Sequence, residues 1–157
     1  MKPITNNELI KKVIDNIIVG KFTDAMSFLQ EMDYDPKNPK FILTANILAY
    51  LICFYAGDYE KANSLKNNLK EFSNTIEYEF LNSLDFDNNL TTIKNLTLII
   101  KKDKTCVLAY IFRAVFYEMT DNRIAAIHDY FAADLLLDGC ESIESRIKFL
   151  TSESPCS

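Results

Sequence analysis

The chain has 157 residues, 48% apolar and 25% charged, which excludes a disordered tail and suits a single domain with a sizeable core. Three glycines and four prolines are too few turn residues for an all-β fold, so the expected class is all-α. Seventeen basic against 22 acidic side chains give a net charge of −5, which argues against nucleic acid as the main partner.

Helix signals recur at short intervals along the chain. Thr5-x-x-Glu8 reads as a capping box, and Leu9, Ile10, Val13, Ile14, Ile17 and Ile18 then follow helical spacing until Gly20. Phe22, Ala25, Met26 and Leu29 begin a second stripe. The run Asp35 to Pro39 reads as a turn, with Asn38 as N-cap and Pro39 as first helical residue. A long apolar helix extends to Ala56, Gly57-Asp58 breaks it, and Asp58 caps a helix carrying Tyr59, Ala62, Leu65 and Leu69. Asn74-x-x-Glu77 suggests another box before a helix with Ile76, Phe80, Leu81 and Leu84. After Asp87-Asn88-Asn89 come helices over Leu90–Ile100, Thr105–Met119, Ile124–Leu137 and Ile143–Leu150, with a frayed tail from Thr151 to Ser157. The expectation is one domain, 1–157, of about nine short helices with no linker.

The breaks at Gly20, Gly57, Asn88 and Asp121 lie 37, 31 and 33 residues apart, and each separates two helices of similar length. Such a period is the mark of a helical-hairpin array. The local pattern Gly20-Lys-Phe22-x-x-Ala25 returns as Gly57-Asp-Tyr59-x-x-Ala62. A small alanine fits where the second helix crosses close to the first, with an aromatic wedged into the corner.

The last hairpin carries a family pattern. Tyr110, Ala114, Tyr117, Ala126, Tyr130 and Ala133 are spaced 4, 3, 9, 4 and 3 apart, which resembles the tetratricopeptide repeat (TPR). Arg113 departs from the usual leucine, and Asp121 and Asp138 stand in place of the usual glycine and proline. The resemblance implies a TPR-like α-solenoid of about four antiparallel hairpins, near 5–34, 38–72, 74–101 and 105–138, plus a capping helix at 141–152. The third hairpin is detectable by period alone. The stretch Ala114 to Leu150 is also similar to the final repeat and capping helix of small bacterial type III secretion chaperones.

No secretory leader pattern opens the sequence, and the most apolar run, Phe41 to Ala56, is too short for a membrane span, so a cytoplasmic chain is expected. The cysteines Cys53, Cys106, Cys140 and Cys156 are scattered, without a C-x-x-C pair. One histidine, His128, supplies neither an ordinary zinc site nor a nucleophile's base, so no metal and no cofactor are expected. Three glycines exclude the phosphate-binding loops. Catalytic residues are not expected, and the chain reads as a non-enzyme.

In TPR arrays the first helix of each hairpin lines a concave groove. That register, taken from Tyr110, implies a partner-binding groove at Leu108, Ile111, Val115 and Met119 in the last hairpin. In the second it implies Ile47, Leu51, Phe54 and Tyr55, with Asn7, Ile10, Ile14, Ile17 and Ile18 in the first and Ile76, Glu79, Ser83 and Phe86 in the third. A groove of such residues suits a hydrophobic or amphipathic segment of a client protein, as a type III secretion chaperone would hold. Two alternatives stay open. The same residues could pack a closed core, or the N-terminal helix could form a homodimer contact. As a function, the rivals are a scaffold or adaptor subunit and an acidic inhibitor or immunity-type binder of a basic protein.

Overall fold

The computed structural model describes residues 6–32, 39–85 and 87–152, with side chains from Glu8 onward. Thr5, Asn38, Phe86, Cys156 and the tail beyond Ser152 therefore lie outside the described residues, as does the side chain of Asn7. Among the described residues there are nine α-helices and no strand: α1 (Asn6–Ile18), α2 (Phe22–Gln30), α3 (Pro39–Tyr55), α4 (Tyr59–Asn68), α5 (Ile76–Ser83), α6 (Asn89–Lys102), α7 (Val107–Met119), α8 (Arg123–Leu136) and α9 (Glu141–Ser152). The class expected from composition is thus observed. None of these helices is long and apolar enough to cross a membrane. The chain divides into two compact units, residues 1–78 and 79–157.

In the first unit α1 packs on α2, α2 on α3, α3 on α4, and α1 also reaches α3. Its core is Leu9, Val13 and Ile14 of α1, Leu29 of α2, and Leu43, Ile47, Leu48, Leu51 and Ile52 of α3. Each such side chain contributes roughly 1.5–3 kcal/mol by leaving water. Helix α4 ends at Asn68 rather than running through Leu69, which opens a short 3₁₀ turn, Leu69–Phe72. In the second unit α6 packs on α7, α7 on α8, and α8 on α9. Here the core centres on Phe80, Leu96, Ile99, Phe112, Phe116, Ala126, Ala133 and Ile143. The rings of Phe80 and Phe112 meet edge to face at 5.6 Å.

One turn recurs in both units. Gly20, Gly57 and Asp121 take positive φ (80°, 87° and 59°), which lets the chain reverse after α1, α3 and α7. The next amide then bonds back five residues, Lys21 to Asn16, Asp58 to Cys53 and Asn122 to Tyr117, at 2.8–2.9 Å. Asp58 and Asn122 also cap the following helix, accepting from the amides of Lys61 and Ala125. Three residues past the first residue of each following helix stands a small, fully buried side chain: Ala25, Ala62 and Ala126. A larger group there would push the two helices apart.

The turn before α6 is built otherwise. Asn88 has extended backbone and caps α6 through the amide of Thr91. Its small buried residue is Thr92, whose hydroxyl accepts from the Asp85 amide and donates to the Asp85 carbonyl, both at 2.9 Å. With Lys102 Nζ 2.7 Å from Glu79 Oε1, α6 is tied back along α5 at both ends. The expected box at Asn74 is not the cap of α5. Thr75 Oγ1 accepts from the Tyr78 amide instead.

Candidate partner-binding site

The eight groove residues divide by position along their helices. In the first unit Ile47 and Leu51 are buried in the core, Phe54 is half-buried, and Tyr55 is 39% exposed. In the second, Leu108 and Ile111 are buried, Val115 is half-buried, and Met119 is 55% exposed. Each helix therefore carries its groove face from the core at one end into solvent at the other. Only the C-terminal ends of α3 and α7 offer these positions to a ligand. Helix α1 behaves similarly: Leu9, Val13 and Ile14 are buried, while Ile18 and Val19 at its end are exposed.

The end of α3 carries an aromatic cluster within the first unit. Phe22 at the start of α2 stacks on Tyr55 at 6.4 Å and 7°. Tyr59 at the start of α4 meets Phe54 edge-on at 5.4 Å, and Phe54 also stacks on Tyr50 at 6.0 Å. These are the two corner aromatics of the repeated sequence pattern, both resting on the same helix end. Desolvation and the neighbouring Tyr50 push the Tyr55 hydroxyl up to about 12. Burial raises Tyr50 in the same direction.

Beside this cluster an open trough of about 340 Å³ lies between α2 and the α3–α4 turn. Phe22, Met26, Ile52, Cys53 and Ala56 form its apolar part, and Gln30, Asp58 and Lys61 supply polar rims. Phe22, Met26 and Gln30 recur every fourth residue, so one face of α2 makes one wall. Burial pushes the Cys53 thiol up, which leaves it a poor nucleophile. The volume falls in the range of ligand clefts, and the lining suits apolar contact with a polar edge.

The second unit holds polar chemistry instead. Arg113 of α7 grips Asp129 of α8 through Nε–Oδ2 at 2.6 Å and Nη2–Oδ1 at 2.7 Å, and its Nη1 donates to Thr97 Oγ1 of α6 at 3.1 Å. Tyr110 and Tyr117 place ring faces 6.0 and 5.7 Å from the guanidinium. The hydrogen bonding to the Asp129 carboxylate leads the influences that raise the arginine's pKa. Both side chains of the Arg113–Asp129 pair are largely withdrawn from water. Near the α7–α8 turn, Arg146 of α9 donates to Glu118, whose other oxygen accepts from the Tyr130 hydroxyl at 2.6 Å. A cleft of about 620 Å³ opens there among Glu118, Arg123, Ile124, Arg146 and Phe149.

His128 is exposed on α8. Among the described residues no three His, Cys, Asp or Glu side chains converge on a position for a metal ion. Cys53, Cys106 and Cys140 are in no disulfide. Sequence reasoning missed the trough because its walls come from α2 and α3, whose pairing no local signal states. The repeated Phe22 and Tyr59 corner was the available hint. No known protein family, curated protein or solved structure matches this chain.

Proposed function

We propose that the chain is a non-catalytic protein-binding domain of TPR-like hairpins that holds a hydrophobic or amphipathic segment of a client protein. The observation that carries this reading is the open apolar trough of Phe22, Met26, Ile52, Cys53 and Ala56, continuous in chain with the exposed Tyr55. Half-buried Phe22 and Met26 and exposed Ala56 lie over the buried Ile52 and Cys53, and a concave apolar surface of this kind favours a partner that covers it. Leu51 and Ile111 are buried, so the anchors move from mid-helix to Phe54, Tyr55 and the trough wall. The polar rim of Gln30, Asp58 and Lys61 suits the solvent edge of an amphipathic helix. The resemblance of the last repeat adds a setting: a small cytoplasmic chaperone that keeps an export client soluble, as in type III secretion.

The test compares tagged wild type with Ala56→Glu and Met26→Lys variants in a pull-down from native lysate, washed at low and high salt. Ala56 is exposed and Met26 half-buried, so circular dichroism should be unchanged. A salt-resistant partner present with wild type and lost from both folded variants is the expected result. A partner list that is empty, or unchanged in the variants, overturns the reading. Partners released by salt alone would point to the acidic-binder rival.

A further inference from the structure

Helix α6 differs in charge from the acidic chain that carries it. Its 14 residues include Lys94, Lys101 and Lys102 and no acidic side chain, although the chain has 22 acidic residues against 17 basic ones. Lys104 follows just past its end. Thr92, Leu96, Ile99 and Ile100 form the buried side of the helix. On the other side Leu90 is 72% and Leu98 47% exposed, and Lys94 and Lys101 are exposed with them. At about 100° per residue these four side chains fall within a stripe roughly 80° wide.

The cations of this stripe are not used within the fold. Lys102, at its edge, pairs with Glu79 of α5. Among the described residues Lys94, Lys101 and Lys104 have no ion-pair partner. The nearest acid in sequence, Asp103, turns its Oδ1 to the amide and hydroxyl of Thr105. At the other end Asp85 and Asp87 precede the helix, and Asp85 Oδ1 accepts from the Asp87 amide. The helix dipole accounts for cations at positions 101 and 102, in the last turn. It does not account for Lys94 in mid-helix, nor for two exposed leucines in line with it.

A partner for this face must be anionic and apolar at once. A helix that lies in a bilayer surface separates its apolar and basic sides, so that cations stay among the headgroups. Around α6 both Lys94 and Lys101 fall between Leu90 and Leu98, which would carry them down with the leucines. Nucleic acid is disfavoured by the net charge of −5 and by the lack of any aromatic side chain on α6 for bases to stack on. A second helix fits both requirements. Carboxylates seven residues apart on it lie about 10 Å apart, as Lys94 and Lys101 do along α6, with apolar side chains alternating between them.

We propose that the outer face of α6 docks an acidic amphipathic helix of another protein, its carboxylates on Lys94 and Lys101 and its apolar side chains on Leu90 and Leu98. The trough of the first unit has no part in this contact, so either reading can fail alone.

Fluorescence anisotropy with the full chain tests it. The probe is a labelled peptide of about 18 residues, long enough to be helical, that carries Leu-x-x-x-Glu-x-x-x-Leu-x-x-Glu with alanine and glutamine elsewhere. A second peptide has lysine in place of each glutamate. Wild type should bind the glutamate peptide, more weakly as salt rises, and ignore the lysine peptide. Lys94→Glu combined with Lys101→Glu should weaken the glutamate peptide by about tenfold or more and bind the lysine peptide instead. Leu98→Ser should also weaken it about tenfold, through lost apolar contact. Met26→Lys, in the trough, should change nothing. Helical circular dichroism should match wild type throughout, since Lys94, Lys101 and Leu98 are exposed. The proposal fails if wild type ignores the glutamate peptide, or if the double charge reversal leaves its binding unchanged. It fails if Leu98→Ser has no effect, which leaves only unspecific charge attraction, or if Met26→Lys abolishes binding, which places the peptide in the trough. Binding of phosphatidylserine vesicles through Lys94 and Lys101 in preference to the peptide would overturn it in favour of a lipid surface.

Discussion

Arg113 and Asp129 face each other fork to fork across α7 and α8, with both guanidinium–carboxylate bonds at 2.6–2.7 Å and both side chains largely withdrawn from water. Arg113 brings a cation into the middle of α7, and the matching anion lies sixteen residues on, in α8. Such a pair is expensive to break and adds little when compared with apolar side chains of the same shape. Asp129→Ala should therefore cost about 3–5 kcal/mol, by stranding the arginine. The double variant Arg113→Leu with Asp129→Leu should recover most of that loss. Urea unfolding of the three proteins measures both effects. A single variant costing under about 1 kcal/mol would show that the pair is solvated.

Thr92 takes the place of alanine at the tight crossing before α6, and its hydroxyl is bonded both ways to the Asp85 backbone. Thr92→Val keeps the shape and removes those bonds, leaving the Asp85 amide without its acceptor. A loss of about 1–3 kcal/mol is expected by thermal or urea unfolding. Thr92→Ser should lose less, because it keeps the hydroxyl.

The reversing turns separate backbone strain from packing. A Cβ at Gly57 would meet nothing within 4 Å, so Gly57→Ala introduces only the left-handed backbone. Its cost should be about 1 kcal/mol. Asp121→Gly removes the same strain at φ 59° and should stabilise by less than about 1 kcal/mol, because glycine also loosens the unfolded chain. Paired thermal melts of the two variants give both signs.

Alkaline pH should weaken the fold through its tyrosines. Tyr55 is pushed up to about 12 and Tyr50 is raised by burial. Tyr130 is raised first by burial and then by its bond to Glu118. Groups whose folded pKa lies above the unfolded value near 10 contribute stability that is full below pH 10. That contribution falls as pH rises toward the folded value. Absorbance at 295 nm should show a fraction of the eight tyrosines ionising late and together with loss of helical circular dichroism. Titration of all eight near pH 10 with the helix signal intact would contradict this.

Local chemistry was the legible part of the fold. The cap at Asp58 and the breaks at Gly20, Gly57, Asn88 and Asp121 involve residues within a few positions of one another, so short sequence windows contain them, while the capping roles of Asn88 and Asn122 came from the structure. Exposure of the groove face was not legible. Helical periodicity states which residues share a face, not which neighbouring helix covers it. In α3 apolar residues surround the helix, with Leu43, Ala45, Ile47, Leu48, Leu51 and Ile52 all buried, so register alone could not separate core from groove. Arg113 stood out against the repeat pattern, but its partner Asp129 lies on another helix and needed three-dimensional placement.

Through one side chain, Arg113 holds Thr97 of α6 and Asp129 of α8 while belonging to α7. Neither α7 nor α8 can swing away without stranding a buried charge, and freeing α6 breaks the Thr97 bond to the same guanidinium. Partial opening of the set is therefore penalised. Amides in the middle of α6, α7 and α8 should exchange with solvent deuterium as one foldon, at a common rate set by a single concerted opening.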